Sequence, residues 1–242
     1  MEWLNISALL LFIIINISAY SASKLPSDIS GRIVKILSLI LLCGNLLRYT
    51  LIYPLVYHII KIPAEFSTVA YFIVPIILFA ELDRISCWAA YSSLMAGFFY
   101  YTAMIFAGNA IYGADPAINT AISLLCHGTL YFCGFVTITK IQYTQKEAPK
   151  LLAGIGYVVL RAIIIRPIVI DGDGLFIYKL LDAAPIKLII PEYAVKEALP
   201  FYYIIIITLL VLTTFGFFRI SEKLYEKFSV RRKSQYTENK PS

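Results

Sequence analysis

Several polar or ionisable residues lie inside or at the edge of long apolar stretches, where such side chains are uncommon. His127 stands within LLCHGTLYFCG, a segment with apolar residues on both sides. The other candidates are Asn45, Arg48, Glu65, Ser67 and Arg161. A histidine can act as a general base, and an arginine can bind an anion or stabilise a developing oxyanion. These residue types therefore favour either acid–base chemistry or the binding of an anionic ligand.

The chain that must position these residues has the composition of a membrane protein. Of its 242 residues, 60% are hydrophobic and only 15% are charged, whereas about a quarter are charged in a soluble domain. Mean hydropathy is +0.77. The long apolar runs do not alternate as barrel strands would. We predict an all-α, seven-transmembrane-helix bundle, because a spanning helix needs about 20 apolar residues; the spans are 3–20, 33–54, 66–82, 86–107, 119–139, 151–170 and 199–218.

The basic residues predict the orientation of this bundle. With seven spans the termini lie on opposite sides, and the basic tail is expected in the cytoplasm. Fourteen Lys and Arg residues then fall in inner segments and four in outer ones, as the positive-inside rule requires. The inner set is Lys24, Arg32, Lys35, Arg84, Lys140, Lys146, Lys150, Arg219, Lys223, Lys227, Arg231, Arg232, Lys233 and Lys240, and the outer set is Lys61, Lys179, Lys187 and Lys196.

This topology divides the chain into a transmembrane domain, 1–218, and a basic cytoplasmic tail, 219–242. The tail is expected to contact acidic phospholipid headgroups rather than nucleic acid. The first apolar segment has no positive n-region, so it is interpreted as a retained span and not as a cleaved signal peptide. We expect an integral protein of a bacterial plasma membrane, with membrane lipids as partners; the oligomeric state is left open.

Depth in the bilayer groups the polar residues in its outer half. His127 lies eight residues inside span five, about 12 Å deep at 1.5 Å per residue. Arg161 is ten residues along span six, about 15 Å from its start. Arg48 is in the outer part of span two, near Asn45, and Glu65 and Ser67 open span three. These depths predict a polar pocket in the outer half of the bilayer. A Glu65–Arg48 or Glu65–Arg161 ion pair is one way in which the buried charges could be compensated.

A second interpretation of His127 remains open at this point. A single histidine in a spanning helix can bond a neighbouring hydroxyl or carbonyl group and only hold helices together. Gly128 and Gly134 agree with that interpretation, because small residues let helices approach closely.

Neither a cofactor nor a metal is expected. Span seven has no lysine for a retinal Schiff base, and no second histidine lies within a span to complete a haem site. The four cysteines lie in or beside apolar runs and form no C-x-x-C pair, which is typical of buried small hydrophobic residues.

Three stretches carry a resemblance to a known family: IPAEFSTVAYF before and within span three, CHGTLYF in span five, and LPFYYIIIITLL at the last span. Together with the layout of spans, they resemble the YwaF-type bacterial integral membrane proteins, a group related to an animal transmembrane phospholipid acyltransferase. That resemblance implies a proline-led motif with a cysteine and a later histidine. Pro63 and His127 match, but Ser67 stands at the position of the cysteine, so acyl transfer would need Ser67 activated by His127.

Three functions follow as alternatives. The first is an intramembrane lipid acyltransferase or lipid hydrolase, with His127 as base, Ser67 as nucleophile and Glu65 tuning the site. In this first alternative the substrate would be bound by Arg48, Arg161 and Asn45. The second is a transporter or channel for a small anionic solute. The third is a non-catalytic membrane partner or assembly protein whose polar groups lock helices together.

Overall fold

A computed structural model describes residues 3–56, 58, 66–112, 117–165 and 195–238. Within these ranges the chain is all-helical and has no strand. We number seven helices in chain order: α1 Trp3–Ser23, α2 Ser27–Leu47, α3 Phe66–Phe79, α4 Asp83–Tyr112, α5 Ala117–Lys140, α6 Ala148–Ile165 and α7 Val195–Glu238. A π-helical turn, Arg48–Ile52, and a final α-helical turn, Tyr53–Val56, extend α2. A short 3₁₀ turn, Gln145–Glu147, precedes α6.

Helix ends differ from the predicted spans where local chemistry extends a helix beyond its apolar part. α2 begins at Ser27, after Pro26, and an Asp28–Arg32 ion pair of 3.1 Å spans its first turn. An acidic residue in the first turn of a helix is favourable because it complements the helix dipole. α4 continues to Tyr112, but Ala107 has non-helical angles of φ −139° and ψ 18°. The predicted end of span four at 107 therefore coincides with a kink.

The last helix is much longer than the predicted span. α7 has 44 residues, or about 66 Å at 1.5 Å per residue, roughly twice the thickness of a bilayer core. It continues through residue 219 without a break because the following residues are mostly good helix formers with no glycine or proline before Pro241. The basic segment thus begins as a continuation of α7.

α4 and α5 form the centre of the bundle, and small residues allow their close contact. A β-carbon at Gly134 would lie 2.8 Å from Ser93 Cβ and 3.0 Å from the Ala90 carbonyl oxygen. A β-carbon at Gly97 would lie 2.8 Å from the His127 carbonyl oxygen. α5 also contacts α1, α2 and α7, while α6 packs mainly on α4. Close packing of this kind fixes the positions of side chains between α4 and α5.

Basic residues from several loops meet at one end of the bundle. Lys140 Nζ donates to the Leu25 carbonyl at 2.8 Å, and Lys35 pairs with Glu81 at 2.9 Å. Lys24 lies 4.2 Å from the centre of the Tyr20 ring. The second half of α7 reaches the same end, because Ser221 Oγ donates to the Tyr143 carbonyl at 3.5 Å and Phe228 packs edge-on against Tyr20. We call this end, with the loops after α1, α3 and α5, the basic end.

Three helices among the described residues are long and apolar enough to cross a membrane. They are Trp3–Ser23, Ser27–Leu55 and Ala117–Lys140. Val69–Phe79 is a shorter apolar helix. Many large apolar side chains point outward, with Leu10, Ile40 and Leu125 each more than half exposed. An outward apolar surface of this extent is typical of helices that contact lipid.

A tyrosine–asparagine bond ties α5 to α1 and provides a first prediction. Tyr131 Oη donates to Asn16 Oδ1 at 3.0 Å. Tyr131→Phe is expected to destabilise the protein by about 1 kcal/mol, the size found for such bonds between membrane helices. Thermal unfolding in detergent measures this. Tyr157→Phe is the control, because Tyr157 is 52% exposed; equal losses in the two variants would contradict a role for the Tyr131 bond.

Candidate functional site

The polar cluster around His127 is assembled by four helices. His127 lies on α5 and is only 4% exposed. Tyr71 of α3 reaches it from one side, and Tyr100 of α4 stacks on the imidazole with ring centroids 3.6 Å apart and planes 5° apart. Asn45 of α2 contacts the neighbouring Cys126. We call these five residues the His127 cluster.

Hydrogen bonds engage both nitrogens of the His127 ring. Nδ1 lies 2.8 Å from the Ser123 carbonyl oxygen, which can only accept, so Nδ1 carries the proton and donates. Nε2 is then an acceptor in the neutral ring, and Tyr71 Oη lies 3.1 Å from it, within reach to donate. The Tyr71 oxygen is also 2.7 Å from Nδ1. A buried ring with both nitrogens engaged is held in one orientation.

Asn45 joins α2 to the cluster. Its Nδ2 donates to the Leu41 carbonyl at 2.8 Å and lies 3.6 Å from Cys126 Sγ. Asn45 is 1% exposed, so its amide is removed from solvent. The contact places α2 against the same turn of α5 that carries His127.

Arg48 follows Asn45 by one turn and begins the π-helical segment of α2. Its guanidinium carbon lies 5.1 Å from the centre of the Tyr53 ring. Its Nε is buried and has no hydrogen-bond partner in the part of the chain that the structure describes. The positive charge of Arg48 is close enough to act on Cys126 and His127. A π-helical turn inside an α-helix is frequently found at functional sites.

The structure brings together only some of the residues that the sequence singled out. His127, Asn45 and Arg48 lie together. Ser67 is half-buried on α3, four residues before Tyr71, and is not among the hydrogen-bond partners of His127. Arg161 lies on α6, which packs mainly against α4, and within the described ranges no hydrogen bond or ion pair links it to the cluster. Its Nη1 is buried without a described partner.

Other predictions fall on residues that are not described. Glu65, Arg166 and most of the outer connection between spans six and seven lie outside the described residues.

Sequence analysis missed Tyr71 and the specific role of Tyr100. Tyr100 belongs to the aromatic run Phe98–Tyr101, which carries no ionisable group other than the tyrosine hydroxyls and did not stand out among the polar candidates. Tyr71 lies one helical turn after Ser67, on the same side of α3, so the spacing gave one available signal. Which of the 18 tyrosines meets the histidine depends on how α3 and α4 pack on α5.

The arrangement combines a cationic N–H donor with a histidine whose ring nitrogens are already hydrogen-bonded. Arg48 offers a buried N–H group beside a neutral imidazole, and Tyr71 occupies the bonding position that a serine nucleophile would need. Among the described residues, no group of three or more His, Cys, Asp or Glu side chains could hold a metal ion.

Comparison of the chain with protein-family models, curated proteins and solved structures gave no match. The resemblance to YwaF-type proteins therefore stays a prediction.

Proposed function

We propose that the chain is a seven-span integral membrane protein with its N-terminus outside and its C-terminus in the cytoplasm. Three observations support this. Three described helices can cross a membrane by length and composition. Each of the seven described helices overlaps one predicted span. The loops that the positive-inside count assigns to the cytoplasm meet at the basic end of the bundle.

Within this topology, we propose that the protein binds an anionic group at Arg48, in the outer half of the bilayer. The observation that carries this proposal is the buried Nε of Arg48, which has no partner in the described part of the chain. A charged group inside a membrane is costly, and it usually meets a counter-charge or marks a ligand pathway. Neither of the salt bridges among the described residues, Arg32–Asp28 and Lys35–Glu81, involves Arg48.

A phosphate or carboxylate on a lipid is the ligand class that suits this position. Arginine binds both groups through paired N–H donors. The surrounding side chains are aromatic, since Tyr49 packs edge-on against Tyr53 and Phe72. A headgroup at Arg48 would have its acyl chains among apolar helices. In this proposal His127 positions the site and has no catalytic role.

An intramembrane lipid acyltransferase or hydrolase is a second candidate. The placement of Ser67 favours it, because Ser67 precedes Tyr71 by four residues, about 6 Å of helix rise. Catalysis by Ser67 would require its hydroxyl to replace Tyr71 at His127 Nε2 when substrate is bound. Incubation with defined phospholipids, with acyl exchange and free fatty acid followed by mass spectrometry, tests this. Loss of turnover in folded Ser67→Ala and His127→Gln variants would support it.

Arg48→Gln is the test of the binding proposal. Phosphatidylglycerol is expected to raise the unfolding temperature of the purified wild-type protein, because a ligand that binds only the folded state stabilises it. Native mass spectrometry counts the bound lipids in the same sample. The variant is expected to bind one lipid fewer, and its affinity at this site should fall roughly tenfold or more, as for loss of a charge-assisted bond.

Two controls make this result specific. Arg84→Gln removes the same charge from an exposed residue at the basic end and should change nothing. Inorganic phosphate, added in place of lipid, separates a small-anion transporter from a lipid-binding protein. Equal lipid counts in the wild type and Arg48→Gln would overturn the proposal.

A further inference from the structure

A groove separates α6 from α7 at the basic end of the bundle. It consists of two adjoining cavities, of about 420 Å³ and 330 Å³. Gln145 and Phe218 line both, so the cavities share a wall. These volumes are in the range of small-molecule sites, about 300–1,000 Å³. The groove is remote in the fold from the His127 cluster, which lies between α2, α3, α4 and α5.

The larger cavity is lined by more positive than negative side chains. Lys146 of the 3₁₀ turn and Arg219 of α7 line it together with Glu222. Neither cation forms an ion pair with a carboxylate among the described residues. Glu147 lies nearby, but its carboxylate accepts from the Thr144 backbone N–H at 3.2 Å. Tyr143 stays neutral, because burial raises the pKa of its hydroxyl above the usual value.

The smaller cavity is apolar and continues along the two helices away from the charges. Leu152 of α6 and Val211 and Phe215 of α7 line it. Their side chains are 52%, 59% and 56% exposed. Val211 precedes Arg219 by eight residues, so the apolar part extends about 12 Å along α7 from the cationic end. Apolar side chains this exposed are expected to be covered by another molecule.

We propose that this groove binds one anionic phospholipid. The phosphate contacts Lys146 and Arg219, and an acyl chain lies along Leu152, Val211 and Phe215. The proposal rests on the seven-span topology above, which places the basic end at the cytoplasmic surface. Basic pockets between helices on that side are known binding sites for anionic headgroups.

Charge complementarity selects this occupant over two others. A second copy of the chain would bring its own basic end, and the two sets of cations would repel. A neutral lipid would fill the apolar part but leave the two cations without an anion. Phosphatidylglycerol satisfies both parts, and its glycerol hydroxyls can donate to Glu222.

The test compares two lipids with identical acyl chains. Purified full-length protein is titrated with phosphatidylglycerol and with phosphatidylcholine, and bound lipids are counted by native mass spectrometry. The wild type is expected to prefer phosphatidylglycerol. Lys146→Gln combined with Arg219→Gln should weaken phosphatidylglycerol binding roughly tenfold, with little change for phosphatidylcholine.

Two further variants separate the effect of the surface charge from the effect of the groove itself. Lys150→Gln combined with Lys223→Gln removes the same charge from exposed residues near the groove that do not line it, and it should leave the preference unchanged. Val211→Trp fills the apolar part and should weaken binding of both lipids. A preference lost equally in the two charge pairs would overturn the specific site and indicate a diffuse basic surface.

A dimer that Val211→Trp abolishes, without any change in lipid count, would show that a second copy occupies the groove. Resistance to alkaline extraction from membranes is measured on the same preparations. If the protein resists extraction but shows no lipid preference, only the proposal of a lipid site in the groove is overturned. A protein that is extracted overturns the proposed topology itself.

Discussion

Replacing His127 by leucine is expected to lower the stability of the folded protein by about 1–3 kcal/mol, because a buried polar partner is left unsatisfied. The substitution keeps an apolar side chain of similar size in the space between α3, α4 and α5. Tyr71 loses its imidazole partner, the Ser123 carbonyl loses a donor, and Tyr100 loses the ring stacked on it. Thermal unfolding of the detergent-solubilised protein measures the loss.

A double-mutant cycle isolates the bond between the two side chains. Tyr71→Phe alone removes the other partner, and the pair His127→Leu with Tyr71→Phe removes both. Removing both partners of a hydrogen bond costs less than the sum of the single losses. We therefore expect a coupling energy of about 1 kcal/mol. Additive losses would contradict the bond as the reason for the buried histidine.

Comparing His127→Leu with His127→Gln separates a structural histidine from a catalytic one. A structural His127 predicts that stability falls and that no lipid turnover is lost. A catalytic His127 predicts the reverse for His127→Gln, in which a similar polar side chain preserves much of the packing but cannot act as a base. If lipid turnover disappears in His127→Gln while the unfolding temperature stays constant, the purely structural role of His127 is contradicted.

Gly97→Leu is expected to have the largest effect of any single substitution considered, with little folded protein recovered. A β-carbon at residue 97 already meets the His127 carbonyl oxygen at 2.8 Å and lies closer still to the Tyr131 side chain. Both obstacles belong to the rigid centre of α5, so α4 and α5 must separate. Overpacking of a well-packed core costs about 1–3 kcal/mol and sometimes more, and here it also pulls Tyr100 away from His127.

Gly44→Leu is the matched control. Gly44 lies on α2, and within the described part of the chain no neighbouring group comes within 4 Å of the place that a β-carbon would take. The effect of this substitution should be within about 1 kcal/mol, and it can be favourable because glycine is a poor helix former. Yield by size-exclusion chromatography and unfolding temperature compare the two. Similar yields for both variants would contradict the close α4–α5 contact.

The positions of the helices could largely be predicted from the sequence, because they depend on local composition. Each predicted span overlaps one of the described helices. The ends were less accurate. Ser27 and Asp28 start α2 earlier than its apolar part, and the charged residues after 218 continue α7. A hydropathy pattern does not show where polar residues that favour a helix extend it beyond its apolar part.

The residues of the candidate site could be predicted from the sequence only in part. His127, Arg48 and Asn45 could be found because polar residues are rare in apolar stretches and are expected to turn inward. The role of Ser67 beside His127 was not observed, since Tyr71 holds that position. Among the described residues no hydrogen bond or ion pair joins Arg161 to His127, so its place in the site stays a prediction.

The amino-acid sequence by itself predicted an all-helical chain with apolar helices long enough to cross a membrane, and the described residues have both properties. Those properties follow from composition and from a rise of about 1.5 Å per residue. Only the tertiary structure decided that Tyr71, 56 residues away along the chain, bonds to His127. The physical reason is that helix pairing depends on small residues such as Gly97 and Gly134, whose contacts join segments that are distant in sequence.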